Sequence, residues 1–138
     1  MVSRIIIKGT IAILIQREAV ARKIQARFRD RGMEATILKE DHPKIVEFLE
    51  RGQGLLITDT YFGFRPIRKL KDANNMQVAV CFVRRPNDSF DEKTLQGFGH
   101  FVVGVFEEEM EEEHLDELIK LAVTYESDVD PAITLGEE

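Results

Sequence analysis

Apolar runs of strand length recur along the chain, separated by stretches whose apolar residues return every three or four positions. "TIAILIQ" (10–16) is apolar at successive rather than alternate positions, which predicts a strand buried on both faces. Ahead of it, "RIIIKG" (4–9) reads as a leader or as part of a longer strand. Its Lys8-Gly9 pair can close a tight turn and so add an extra N-terminal edge strand. From Arg17 to Arg31 the period changes: Val20, Ala21, Ile24 and Phe28 share a helical face, while Arg22, Lys23, Arg27 and Arg29 point elsewhere. Gly32 is a natural stop for that helix.

The alternation continues. "MEATILKE" (33–40) predicts a second strand, followed by a helix that buries Ile45, Phe48 and Leu49 and ends at Gly52. Asp41 is the candidate cap of that helix, with Pro43 in its first turn. "GLLITDT" (54–60) is the third strand, "PIRKLKDA" (66–73) a short helix, and Asn74-Asn75 a turn. "MQVAVCFV" (76–83) is a fourth strand. Ser89 with Glu92 has the spacing of a capping box opening a helix over 90–97. "HFVVGVF" (100–106) is the fifth strand. A last helix from Met110 to Thr124 places Leu115, Leu118, Ile119 and Ala122 inward.

Five strands apolar on both faces, alternating with helices, predict an α/β fold: a doubly wound, five-stranded parallel sheet covered on both sides. The 138 residues suit one domain over 1–124 with an acidic tail over 125–138. Sites in such sheets form at the C-terminal ends of strands. Asp59 ends the apolar run Leu55–Thr58, which makes it the first site candidate.

Charge sharpens the picture. The net charge of −6 divides unevenly: residues 1–51 carry 11 Lys and Arg against 7 Asp and Glu, whereas residues 52–138 carry 8 against 18. Phosphate affinity comes from clustered positive charge, so nucleic acid is disfavoured as a partner. Apolar stretches reach about six residues, short of the ~20 that span a bilayer, and no secretory leader is recognisable. The single Cys81, set in "VAVCFV", is a packing residue and points to a reducing, cytoplasmic location.

The order of these elements resembles the receiver domain of bacterial and archaeal response regulators, a flavodoxin-like fold, over about residues 10–124. Three places carry the likeness. "QRE" (16–18) follows strand one, "LLITDT" (55–60) ends strand three, and "GFGHFVVGVF" (97–106) aligns with a run reading roughly G-A-D-D-Y-L-x-K-P-F. The resemblance implies the phosphoacceptor position for Asp59, the switch aromatic for Phe101 and the closing Phe for Phe106. It also marks the departures. Receivers bind Mg²⁺ with two carboxylates after strand one, where this chain has Gln16, Arg17 and Glu18. The position of the Ser/Thr after strand four falls near Val83 or Arg84. Gly104 stands for the Lys, and Val105 for the Pro.

Without metal and Lys, most of the charge neutralisation that drives phosphoryl transfer is missing. The expectation is therefore a stand-alone signalling or adaptor module, not an enzyme, without cofactor and working by protein–protein contact. Mg²⁺ belongs only to the alternative in which Asp59 accepts a phosphoryl group, with Arg17 or Arg84 as partial substitutes. A further alternative is a flavodoxin-like small-ligand binder or enzyme in which Gln16, Asp59, Arg84 and Arg85 converge. An Asp59–Arg17 ion pair is expected to hold the site in one state.

The remaining candidates are surfaces. Residues 107–117 are rich in Glu, and Glu111 and His114 share a helical face; acid at a helix start is favourable on its own. The resemblance implies a partner face over residues 90–124, which includes Phe101 and Phe106, and the acidic helix predicts that the protein partner there is basic. The basic helix carrying Arg17, Arg22, Lys23, Arg27, Arg29 and Arg31 reads first as a solvated face; it can also contact an acidic surface or a phosphate backbone, or the acidic last helix of a second copy in a homodimer. No membrane contact is expected.

Overall fold

The computed structural model describes residues 10–75, 77–88, 91–98 and 102–129, with side chains through Lys120 and Glu92 excepted. Its elements run β1 (Thr10–Leu14), α1 (Glu18–Asp30), β2 (Ala35–Ile37), α2 (Ile45–Arg51), β3 (Gly54–Asp59), α3 (Arg65–Asp72), β4 (Val78–Arg84), α4 (Glu92–Gln96), β5 (Val102–Glu107) and α5 (Glu112–Val129). The strands form one sheet in the order β2-β1-β3-β4-β5, all neighbours parallel. The expected doubly wound α/β sheet is present. The extra edge strand over 4–9 and the Ser89 cap lie outside the described residues.

Successive apolar residues in each strand serve opposite cores. Ile11, Ile13, Leu55, Ile57, Ala79, Cys81 and Val83 face a core closed by Ala21, Ile24 and Phe28 of α1 and Leu115, Leu118 and Ile119 of α5. Ala12, Leu14, Leu56, Val78, Val80 and Phe82 face the other, closed by Phe48 and Leu49 of α2 and Ile67 and Leu70 of α3. Each such side chain contributes about 1.5–3 kcal/mol on burial, so a strand with two apolar faces is stable only between two helical layers. Cys81 lies within this apolar interior, and burial pushes its thiol up to about 12.

Local chemistry sets the element ends. Gly32 takes φ +76°, the left-handed conformation that stops α1, and Asn74 takes φ 56° after α3. The buried Asn75 amide donates to the carbonyls of Leu49 and Gly52, tying the α3–β4 turn to the end of α2. Several expected boundaries move. Lys44, not Asp41, precedes α2, without a side-chain cap; the His42 ring accepts the Lys44 N–H instead. Asp91 caps α4, accepting from the Lys93 and Thr94 N–H groups. β2 is only three residues long, Ala35–Ile37, and pairs with β1 alone. α5 starts at Glu112 and continues to Val129, five residues beyond the expected end. Among the described residues no helix is long and apolar enough to cross a membrane.

Candidate functional site

Pairing across the sheet delivers Asp59 to the C-terminal end of β3, opposite Val83 of β4 and beside the chain leaving β1. The residue is fully buried, at 0% exposure. Its Oδ2 accepts the Gln16 N–H at 2.9 Å. Its Oδ1 accepts the N–H groups of Tyr61 at 3.1 Å and Phe62 at 3.4 Å, closing the turn into α3. Burial holds the carboxyl above the ordinary value of 3.8; the bonds from Gln16 and Phe62 and the charge of Arg85 only partly oppose this.

Arg17 does not pair with Asp59. Its guanidinium crosses to the β5–α5 turn and meets Glu108 at 3.0 Å, 91 residues away in sequence. The Glu108 side chain is only 2% exposed, whereas that of Arg17 is 56% exposed. Glu108 Oε2 is buried with no hydrogen-bond partner, so Arg17 is the principal compensation for a buried carboxylate. Asp59 already has backbone donors, which is why the cation goes elsewhere.

The other candidates are distributed around this centre. Glu18 is exposed and held by Arg22 one turn on at 2.6 Å, which lowers its carboxyl pKa. Arg84 turns across to Glu107 of β5 at 2.7 Å. The cation that acts on Asp59 is Arg85, whose guanidinium lies 5.4 Å over the ring of the exposed Tyr61. Gly104 is opposite Cys81, three residues before β5 ends. Phe106 is half-buried against the α1/α5 core, and Phe101 lies outside the described residues.

Thr60, adjacent to Asp59, joins two loops. Its hydroxyl donates to Asp88 at 2.6 Å and accepts the Arg85 N–H at 3.0 Å. In the β3–α3 loop, Phe62 is buried, and Phe64 packs edge-on against Phe82 at 5.7 Å. The loop is therefore fixed from both sides.

These residues do not make a Mg²⁺ site. Mg²⁺ requires near-octahedral oxygen ligands, yet the places after β1 offer an amide side chain, a guanidinium and, at Glu18, a carboxylate turned to Arg22. The Asp59 oxygens are taken by three N–H groups, and among the described residues no three His, Cys, Asp or Glu side chains gather. His114 accepts the Glu111 N–H through Nδ1 at 3.2 Å, closing the first turn of α5.

The basic and acidic helices, expected to leave their charges for other molecules, engage each other. Lys23 donates to the Met110 carbonyl at 2.6 Å. Arg27 pairs with Glu112 at 2.7 Å and Asp116 at 3.2 Å, and Arg31 also reaches Asp116. The complementarity that suggested self-association through α1 is thus largely satisfied within one chain. Sequence reasoning missed Glu108, Thr60 and the Arg85–Tyr61 stack. Glu108 had no distinguishing signal within a run of acids; Thr60 was visible as the residue after Asp59.

No family profile and no curated sequence matches the chain. Solved structures do. A CheY-like response regulator receiver domain protein from Methanospirillum hungatei JF-1 matches at TM-score 0.66 and 18% identity, covering 85% of this chain and 95% of that one. A response regulator from Thermotoga maritima matches at TM-score 0.56 and 11% identity, covering 82% and 98%. With the strand order and the two helical layers, these likenesses establish that the chain has the CheY-like, flavodoxin-like fold.

Proposed function

We propose that the protein is a cytoplasmic receiver-like signalling or adaptor module that works through protein–protein contact without phosphorylation of Asp59. The observation that carries this reading is the Arg17–Glu108 ion pair. The resemblance implies carboxylates after β1 and a Lys in β5. Here a cation follows β1 and a buried carboxylate follows β5, each neutralising the other. In place of a metal-binding acidic pair and a Lys, this chain thus has a cation and an anion already joined to each other. The burial of Asp59 supports the same conclusion, because a donor's phosphorus needs an exposed carboxylate oxygen in line with its leaving group.

Intact-mass analysis after incubation with Mg²⁺ and acetyl phosphate tests the reading, with Asp59→Asn as control. The expected result is no adduct. A single base-labile phosphoryl adduct, present in the wild type and missing from Asp59→Asn, refutes it and restores Asp59 as a phosphoacceptor.

A further inference from the structure

The 52–138 part of the chain is strongly acidic, yet several of its eight Lys and Arg lie around α3 and the β4–α4 loop. α3 exposes Arg68, Lys69 and Lys71, and the β4–α4 loop adds Arg85. Aromatic rings lie between them. Arg85 stacks on Tyr61, which is 53% exposed. The Lys71 ammonium is 5.8 Å from the centre of the Phe98 ring, and Phe98 packs on Phe64 at 5.7 Å. Phe64, Arg68 and Lys71 follow helical spacing along the α4-facing edge of α3.

The charges of this face are available. Most neighbouring acids are engaged, Glu40 by Arg65, Glu107 by Arg84, Asp88 by Thr60 and Asp91 by the start of α4, while Asp72 lies with Lys69 on the α2 side of α3. Among the described residues, Arg68, Lys71 and Arg85 make no ion pair. Exposed Tyr with Arg, flanked by further aromatics, is the composition of protein-binding hot spots.

The complementary surface is on the same molecule. In α5 and the turn before it, Glu108, Glu112 and Asp116 recur every four residues and face α1, which holds all three. Glu109, Glu113 and Glu117 recur with the same spacing on another side and are exposed, as is Glu111. We propose that the α3 face, anchored by Tyr61, Arg68 and Arg85, docks the exposed acidic row of α5 from a second copy of this chain. α3 and α5 cover opposite faces of the sheet, so the contact is head-to-tail and builds rings or short filaments. It deepens, and rests on, the reading of the protein as a protein-contact module. Nucleic acid is the less suitable occupant, because its continuous phosphate charge would meet the acidic remainder of the surface.

Sedimentation of the full chain over a concentration series at low ionic strength tests the contact. The weight-average mass of the wild type is expected to rise with concentration. Arg68→Glu with Arg85→Glu, or Glu113→Lys with Glu117→Lys, is expected to weaken association by at least about tenfold. Mixing the two double variants is expected to restore it, and circular dichroism checks that both fold. A wild type that stays monomeric to millimolar concentration overturns the proposal, as do variants that associate unchanged or a mixture that fails to recover. Binding of a single-stranded oligonucleotide through Arg68 and Arg85 without self-association also overturns it. Either failure leaves the phosphoryl-adduct test, and the reading it examines, unaffected.

Discussion

Arg17→Ala is the most informative single change. It removes the ion-pair partner from Glu108, whose side chain is 2% exposed and whose Oε2 already has no hydrogen-bond partner. Stranding a buried charge costs about 3–5 kcal/mol, whereas breaking an exposed pair costs about 0–1 kcal/mol. Arg17 is itself 56% exposed, so water enters its place and partly solvates Glu108. The loss should therefore fall between those limits, about 2 kcal/mol. For a chain of this length that lowers the unfolding midpoint by about 6 °C. Glu108→Gln should cost less, about 1 kcal/mol, because a neutral amide can still accept from Arg17 and the freed guanidinium remains in water. Once Glu108→Gln is present, adding Arg17→Ala should cost little more. Urea unfolding followed by circular dichroism at neutral pH measures all three variants, and an unchanged m-value confirms that the same two states are compared. A loss below about 0.5 kcal/mol for Arg17→Ala, or additive losses in the double variant, would show that Arg17 does not compensate Glu108.

Other outcomes follow from the same structure. The folded-state pKa of Asp59 lies above 3.8, so folding favours its protonated form: its contribution is most favourable below 3.8 and is lost as pH rises through the folded value. The stability of the wild type relative to Asp59→Asn should therefore improve as pH falls from neutral toward 4; chemical denaturation across that range checks the slope, and the opposite slope refutes it. Phe28→Ala empties a fully buried site between α1 and the sheet and should cost about 3–5 kcal/mol in the same unfolding assay. Gly32→Ala meets no steric neighbour, but φ is +76°, so left-handed strain alone should cost about 1–2 kcal/mol. Cys81, fully buried with its thiol pushed up to about 12, should react with a thiol reagent only as fast as the protein unfolds.

The scaffold was legible in the order of apolar and polar residues. Strands apolar at successive positions must be covered on both faces, and helical stripes such as Val20–Ala21–Ile24–Phe28 supply the covering layers. Asp59 was legible for the same reason: an acid that ends a buried strand of a parallel sheet lies where sites form. Boundaries followed less closely: Asp91 caps α4, and Lys44 rather than Asp41 precedes α2. Which charges meet depends on the folded molecule. Spacing carries no information about a guanidinium that reaches 91 residues along the chain to Glu108, nor about which acids of 107–117 face α1. Backbone geometry fixes the face on which a residue lies over three or four positions, and that is periodic in sequence. Long charged side chains choose partners by distance in the folded molecule, where Asp59 is satisfied by backbone N–H groups and the buried Glu108 is not.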